Sequence, residues 1–174
     1  MSAAESTDAV SQLCPNCGLC CNGVLFADVE LRAGDNAKQL AQLGLRLEKK
    51  GRSKLAFAQS CACFDSTLCK IYGDRPRRCR TFECGLLKRV QAGELAAGAA
   101  LKIISKTKRR VEKVRGLLHQ LGQKDGRVVL IKSYTEAMSA PIDLSKAETD
   151  SDRRGELMLA YDELMQQLQR DFLK

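Results

Sequence analysis

The chain has 174 residues, a length that suits one domain with its own core. Hydrophobic residues make up 44% and aromatics 5%, with no Trp, so that core must be chiefly aliphatic. No apolar run approaches the roughly 20 residues that cross a bilayer, and the polar, acidic start lacks the basic and apolar regions of a secretory signal. The expected location is therefore the cytoplasm, where thiols stay reduced, with no membrane partner. The net charge is +8. Residues 61–142 hold seventeen basic and seven acidic side chains, whereas residues 143–174 are net acidic. A surplus confined to the middle of the chain suits an acidic protein or a nucleic acid as partner.

Residues 1–12 read as a disordered tail. Cys14, Cys17, Cys20 and Cys21 follow in the run C-P-N-C-G-L-C-C. Gly23–Leu31 has strand-like residues with imperfect alternation. Asp35 is placed to cap a short helix through Gln42, and Gly44 to end it. Leu45 and Leu47 alternate before the polar K-K-G-R-S tip and Leu55 and Phe57 after it, which predicts a β-hairpin. Five more cysteines, Cys61, Cys63, Cys69, Cys79 and Cys84, come next, and none follows. Arg75-Pro76 marks a turn, because a residue before proline avoids helical geometry.

Helical spacing begins near Leu86, with Gly93 and Gly98 interrupting. A long helix is predicted from Ala99 to Leu121, with Leu101, Ile104, Val111, Val114, Leu118 and Leu121 as its apolar stripe and Gly122 at its end. Val128–Ile131 reads as a short strand. A last helix starts near Ser151 or Asp152 and buries Leu157, Tyr161, Leu164, Leu168 and Phe172. The expected fold is a single α+β domain, mostly helical. A cysteine-cluster metal-binding region occupies residues 13–90, and a helical region, residues 91–174, packs on it.

Nine thiols in a chain long enough to form a core are there for their chemistry, not to rescue the fold. Thiolate is the preferred ligand of zinc and of iron–sulfur clusters. Two cysteines separated by two residues reach one metal from one tight turn, and Cys14–Cys17 and Cys17–Cys20 both have that spacing. Adjacent cysteines diverge in direction, so Cys20 and Cys21 either serve different metals or include one non-ligand. The plain alternative for any single cysteine is a small buried hydrophobe. A thioredoxin-like redox pair lacks its βαβ setting.

The run Cys14-Pro-Asn-Cys17-Gly-Leu-Cys20-Cys21 resembles the defining motif of the CxxCxxCC cysteine-cluster family, also called the YkgJ family. The stretch Cys61-Ala-Cys-Phe-Asp-Ser-Thr-Leu-Cys69-Lys-Ile-Tyr72-Gly-Asp-Arg75-Pro76-Arg-Arg-Cys79-Arg80-Thr-Phe82-Glu-Cys84 is similar to its partner motif. The resemblance covers about residues 14–84. It implies a bacterial zinc- or iron-chelating domain whose ligands are Cys14, Cys17, Cys20, Cys21, Cys61, Cys69, Cys79 and Cys84, with Cys63 as the extra thiol or, in the reverse register, with Cys63 in place of Cys61. Similar cysteine-rich segments in flagellin lysine methylases imply an iron–sulfur centre.

Arg75 and Arg80 lie on that motif, where guanidinium groups offset thiolate charge. Tyr72 either packs over the site or belongs to the core. Lys102, Lys106, Arg109, Arg110 and Lys113 form a basic row with no aromatic residue to stack bases. His119, the only histidine, sits at a helix end where a cation is favoured. No nucleophile–base arrangement stands out, so no catalytic residue is assigned. Three functions stay open: a metal-binding protein holding zinc or an iron–sulfur cluster, an iron–sulfur redox enzyme or accessory factor, and a nucleic-acid-binding module with a structural metal.

Overall fold

The computed structural model describes residues 3–51, 53–65, 68–126, 128–141 and 147–174. Helix α1, Ala3–Cys17, takes in residues 3–12 of the expected tail; residues 1 and 2 lie outside the described residues. Its buried residues Ala9 and Leu13 are four apart and so face the same side. Strand β1 is Asp28–Glu30, only the end of the apolar stretch expected there.

Helix α2, Ala37–Gln42, is capped one residue later than expected. The Asn36 side chain accepts from the Gln39 N–H at 3.1 Å. Asp35 instead accepts from the backbone N–H groups of Arg32 and Arg77, at 2.8 and 2.7 Å. It thereby ties the loop after β1 to the second cysteine stretch. The expected hairpin forms from β2, Leu47–Lys50, and β3, Lys54–Ala58. With β1 these strands make an antiparallel sheet of order β1-β3-β2, with Val29 and Leu47 both paired to Phe57.

The second cysteine stretch continues into two short helices, α3, Arg77–Thr81, and α4, Gly85–Gln91. Proline at the head of α3 has no N–H to leave unpaired. The long helix α5 is Ala97–Gln120, and Gly122 just beyond it has φ +87°. Only glycine adopts that angle without strain. Ile104, Val111, Val114 and Leu118 of the expected stripe are buried, joined by Ala100, Thr107 and Leu117, while Leu101 and Leu121 are partly covered.

Val128–Ile131 is not a strand. Helix α6, Leu130–Ser139, begins within it and buries Leu130, Ser133 and Ala137. Two tertiary contacts outweigh the strand preference of that valine-rich run. The Leu130 N–H donates to the Gly23 carbonyl, and Tyr134 stacks on Tyr161 with ring centroids 3.9 Å apart. Helix α7, Ala147–Asp171, starts earlier than expected; its Leu157, Tyr161, Leu164 and Leu168, with Phe172 just beyond its end, are buried as the sequence marks.

The protein is therefore α+β and mostly helical, with two cores. The larger one joins α1, α4, α5, α6 and α7, and the smaller joins the sheet, α2 and the second cysteine stretch. At the α5–α7 interface the fully buried Thr107 hydroxyl donates to the Ile103 carbonyl and accepts from the Gln167 amide, both at 2.8 Å. Arg110 donates to the other end of that amide at 2.8 Å, so the buried polar atoms are paired. Among the described residues, no helix is long and apolar enough to cross a membrane.

Candidate metal centre

The two cores meet around a cavity of about 240 Å³. Eight of the nine thiols line it: Cys14, Cys17, Cys20, Cys21, Cys61, Cys69, Cys79 and Cys84. These are the eight residues expected as ligands in the register that takes Cys61 and leaves Cys63 as the extra thiol. The ninth, Cys63, is absent from the wall. It is 3% exposed, packs in the sheet core, and donates to the Leu43 carbonyl at 3.4 Å.

Three local devices bring the thiols together. Cys14 and Cys17 are three apart on the last turns of α1, so they share one helix face. Gly18 then reverses the chain with φ +71°, and a side chain there would run into the Phe64 ring, 2.6 Å away. Cys20 and Cys21 follow in the turn, where the Cys21 N–H donates to the Gly18 carbonyl at 2.9 Å. The loop after β3 closes onto that turn, since the Cys61 N–H donates to the Cys21 carbonyl at 2.9 Å. Phe64 and Cys69 form a bridge that folds the same loop back on itself. Cys79 rides on α3, and Cys84 is the residue ahead of α4.

The rest of the wall is largely apolar, from Leu13, Phe26, Phe64, Phe82, Leu86, Leu87, Ile104 and Phe172. Phe26 and Phe82 meet edge to face at 4.9 Å. The sequence points to Phe82 through the motif's aromatic position. Phe172 lies 88 positions beyond Cys84, and no local pattern could place it here.

Burial sets the acidity of these thiols. It pushes Cys17, Cys61 and Cys79 up to about 12 and raises Cys14, Cys69 and Cys84 as well. For Cys84 the backbone N–H groups of Leu87 and Leu86 pull the other way. The Cys20 thiol donates a hydrogen bond to Cys21, which raises Cys20 and, with help from Arg75, lowers Cys21. Most of the thiols are therefore protonated near neutrality, and a metal has to displace those protons.

Arg75 is one of two arginines on the cavity wall. Its guanidinium lies 3.5 Å over the Tyr72 ring, and its Nε donates to the Tyr72 carbonyl at 2.8 Å. Its charge favours the thiolate forms of Cys14, Cys21, Cys69 and Cys79. Arg80, also expected beside sulfur, is exposed and does not line the cavity, whereas Arg78 does.

The donors ring the cavity without converging. Among the described residues, no three Cys, His, Asp or Glu groups already form a coordination set. The chemistry of the ring fits soft, thiolate-seeking metals: among the described residues it has eight sulfurs, no histidine and one carboxylate, Asp28, which pairs with Lys50 at 2.8 Å. His119 is exposed on the last turn of α5.

The basic row of α5 does not act as one face. Arg110 reaches Gln167 and Glu163, and Lys113 pairs with Glu156, all on α7. Lys102, Lys106 and Arg109 remain exposed.

Comparison with known proteins agrees with this site. The model of the CxxCxxCC family, described as a putative zinc- or iron-chelating domain, matches residues 13–108. The chain belongs to that family. The match ends within α5, so α6 and α7 lie outside it. No curated protein and no solved structure matches the chain.

Proposed function

We propose that this protein binds zinc or an iron–sulfur cluster in the cysteine-lined cavity, through Cys14, Cys17, Cys20, Cys21, Cys61, Cys69, Cys79 and Cys84. One observation carries the reading: all eight motif cysteines, drawn from two distant stretches, line a single cavity while the ninth packs elsewhere. Free thiols serving only as small hydrophobes have no reason to sort in this way.

The residues divide the work. The thiols supply the ligands, and each must lose a proton to do so. Arg75 offsets part of the negative charge that four-thiolate sites accumulate. The phenylalanines and leucines of the wall keep water out, which strengthens the attraction between thiolate and cation. Bound metal would supply rigidity to a loop-rich region or, as a cluster, a site for one-electron transfer.

The test is elemental and sulfide analysis, with an absorption spectrum, on anaerobically purified full-length protein. The expected result is zinc in a colourless protein, or iron with inorganic sulfide in a brown one. Fully reduced protein that takes up neither, even after reconstitution, would refute the proposal.

A further inference from the structure

We propose that the eight thiols form two separate four-cysteine sites, one of Cys14, Cys17, Cys20 and Cys84 and the other of Cys21, Cys61, Cys69 and Cys79. The inference rests on the metal-binding reading above and adds the ligand set of each site. Each site takes one tetrahedral, thiolate-seeking metal ion, for which four sulfurs are the usual complement.

The division follows the two cores. Cys17 and Cys84 pack against the helical core, whereas Cys61, Cys69 and Cys79 pack against the sheet core. Cys14 is one turn before Cys17 on α1, and α1 lies against α4, which Cys84 heads. Cys21 is bound to the opposite group, because its carbonyl holds the Cys61 N–H. Cys20 is left to the first group.

Cys14, Cys17 and Cys84 thus lie on the α1–α4 side of the cavity, and Cys21, Cys61, Cys69 and Cys79 on the sheet side. The adjacent pair is therefore the seam, with neighbouring backbone positions serving different sites. Each site takes ligands from both cysteine stretches, three and one in the first and one and three in the second. Neither stretch can complete a site alone.

The experiment uses the wild-type chain with zinc as the probe, so it does not depend on a variant folding. The reduced protein is loaded anaerobically and its zinc counted. Zinc is then withdrawn in steps with a chelator, while alkylation of each cysteine is followed by mass spectrometry. The expected count is two zinc per chain, from eight thiols at four per ion. On withdrawal, Cys14, Cys17, Cys20 and Cys84 should become reactive as one set, and Cys21, Cys61, Cys69 and Cys79 as another. Reactivity rising together at all eight, or Cys20 and Cys21 moving in one set, overturns the division and leaves metal binding intact. No zinc uptake, with no iron and sulfide in the protein as purified, removes the metal reading itself and the division with it. In variants, Cys84→Ser and Cys79→Ser should each lose one of the two zinc ions, and the double variant both. The pair Cys17→Ser with Cys84→Ser should lose only one.

Discussion

Replacing Cys63 by alanine separates the role of the ninth cysteine from that of the other eight. Its side chain is buried with Val29, Leu40, Leu45, Phe57 and Ile71 behind the cavity wall, next to the Cys61 thiol but not lining the cavity itself. Deleting one apolar-sized atom loses about 0.8 kcal/mol of transfer free energy. A void of about 25 Å³, at roughly 24 cal/mol per Å³, adds about 0.6 kcal/mol. The weak thiol donation to the Leu43 carbonyl, at 3.4 Å, adds a few tenths. The total is about 1.5–2 kcal/mol, which in a chain of this size lowers Tm by roughly 3–8 °C. Metal content should not change. Cys61→Ser is the contrast, because its thiol lines the cavity and its loss should lower bound metal. The measurements are thermal unfolding by circular dichroism and metal content per chain on the same preparations. Equal loss of metal from the Cys61 and Cys63 variants would refute the assignment of Cys63 to the sheet core alone.

Gly18→Ala should destabilise the protein by about 2 kcal/mol or more, since φ +71° strains any other residue and the new methyl meets the Phe64 ring; wild-type stability in urea would overturn that reading. Leu164→Ala, at a position with no exposure in the helical core, should cost about 3–4 kcal/mol without changing metal stoichiometry, checked by denaturation and elemental analysis. Stripped, reduced protein should lose stability as the pH rises from about 9 towards about 12. Cys17, Cys61 and Cys79 keep their protons to about 12 when folded and release them near the ordinary thiol value when unfolded, so alkali favours the unfolded chain. Their contribution is fully present below the unfolded value, and a urea midpoint that does not fall between pH 8 and pH 10.5 would contradict the burial of these thiols.

The cysteines that line the cavity were legible because metal chemistry constrains residue type and short spacing together. The hairpin and the faces of α5 and α7 were legible for a related reason: apolar period and turn residues agree there. Where the reading missed, contacts far along the chain had decided. Val128–Ile131 has strand-forming residues, yet the spacing of Leu130, Ser133 and Ala137 was already helical, and stacking of Tyr134 on Tyr161 favours that alternative. The first twelve residues look polar and unpatterned, and only packing on α5 shows that Ala9 and Leu13 form a face. Asp35 was read as a cap, but Arg77, forty-two positions on, supplies its second donor. The apolar lining of the cavity was the least visible part, because Ile104 reaches it from α5 and Phe172 from the residue after α7, and neither helix carries a cysteine.

The junction between α7 and Cys84 bears on the order in which the molecule is assembled. The Gly85 N–H donates to the Phe172 carbonyl at 2.9 Å, and the Gly85 α-carbon lies so close to the Lys174 carbonyl that no side chain fits between them. The wall that carries Cys84 therefore rests on residues made some ninety positions later. During synthesis, from the N-terminus onward, all nine thiols emerge well before the segment that holds one of them in place. The packing of this wall is completed by residues 172–174, just beyond α7, and not by the cysteine stretches alone.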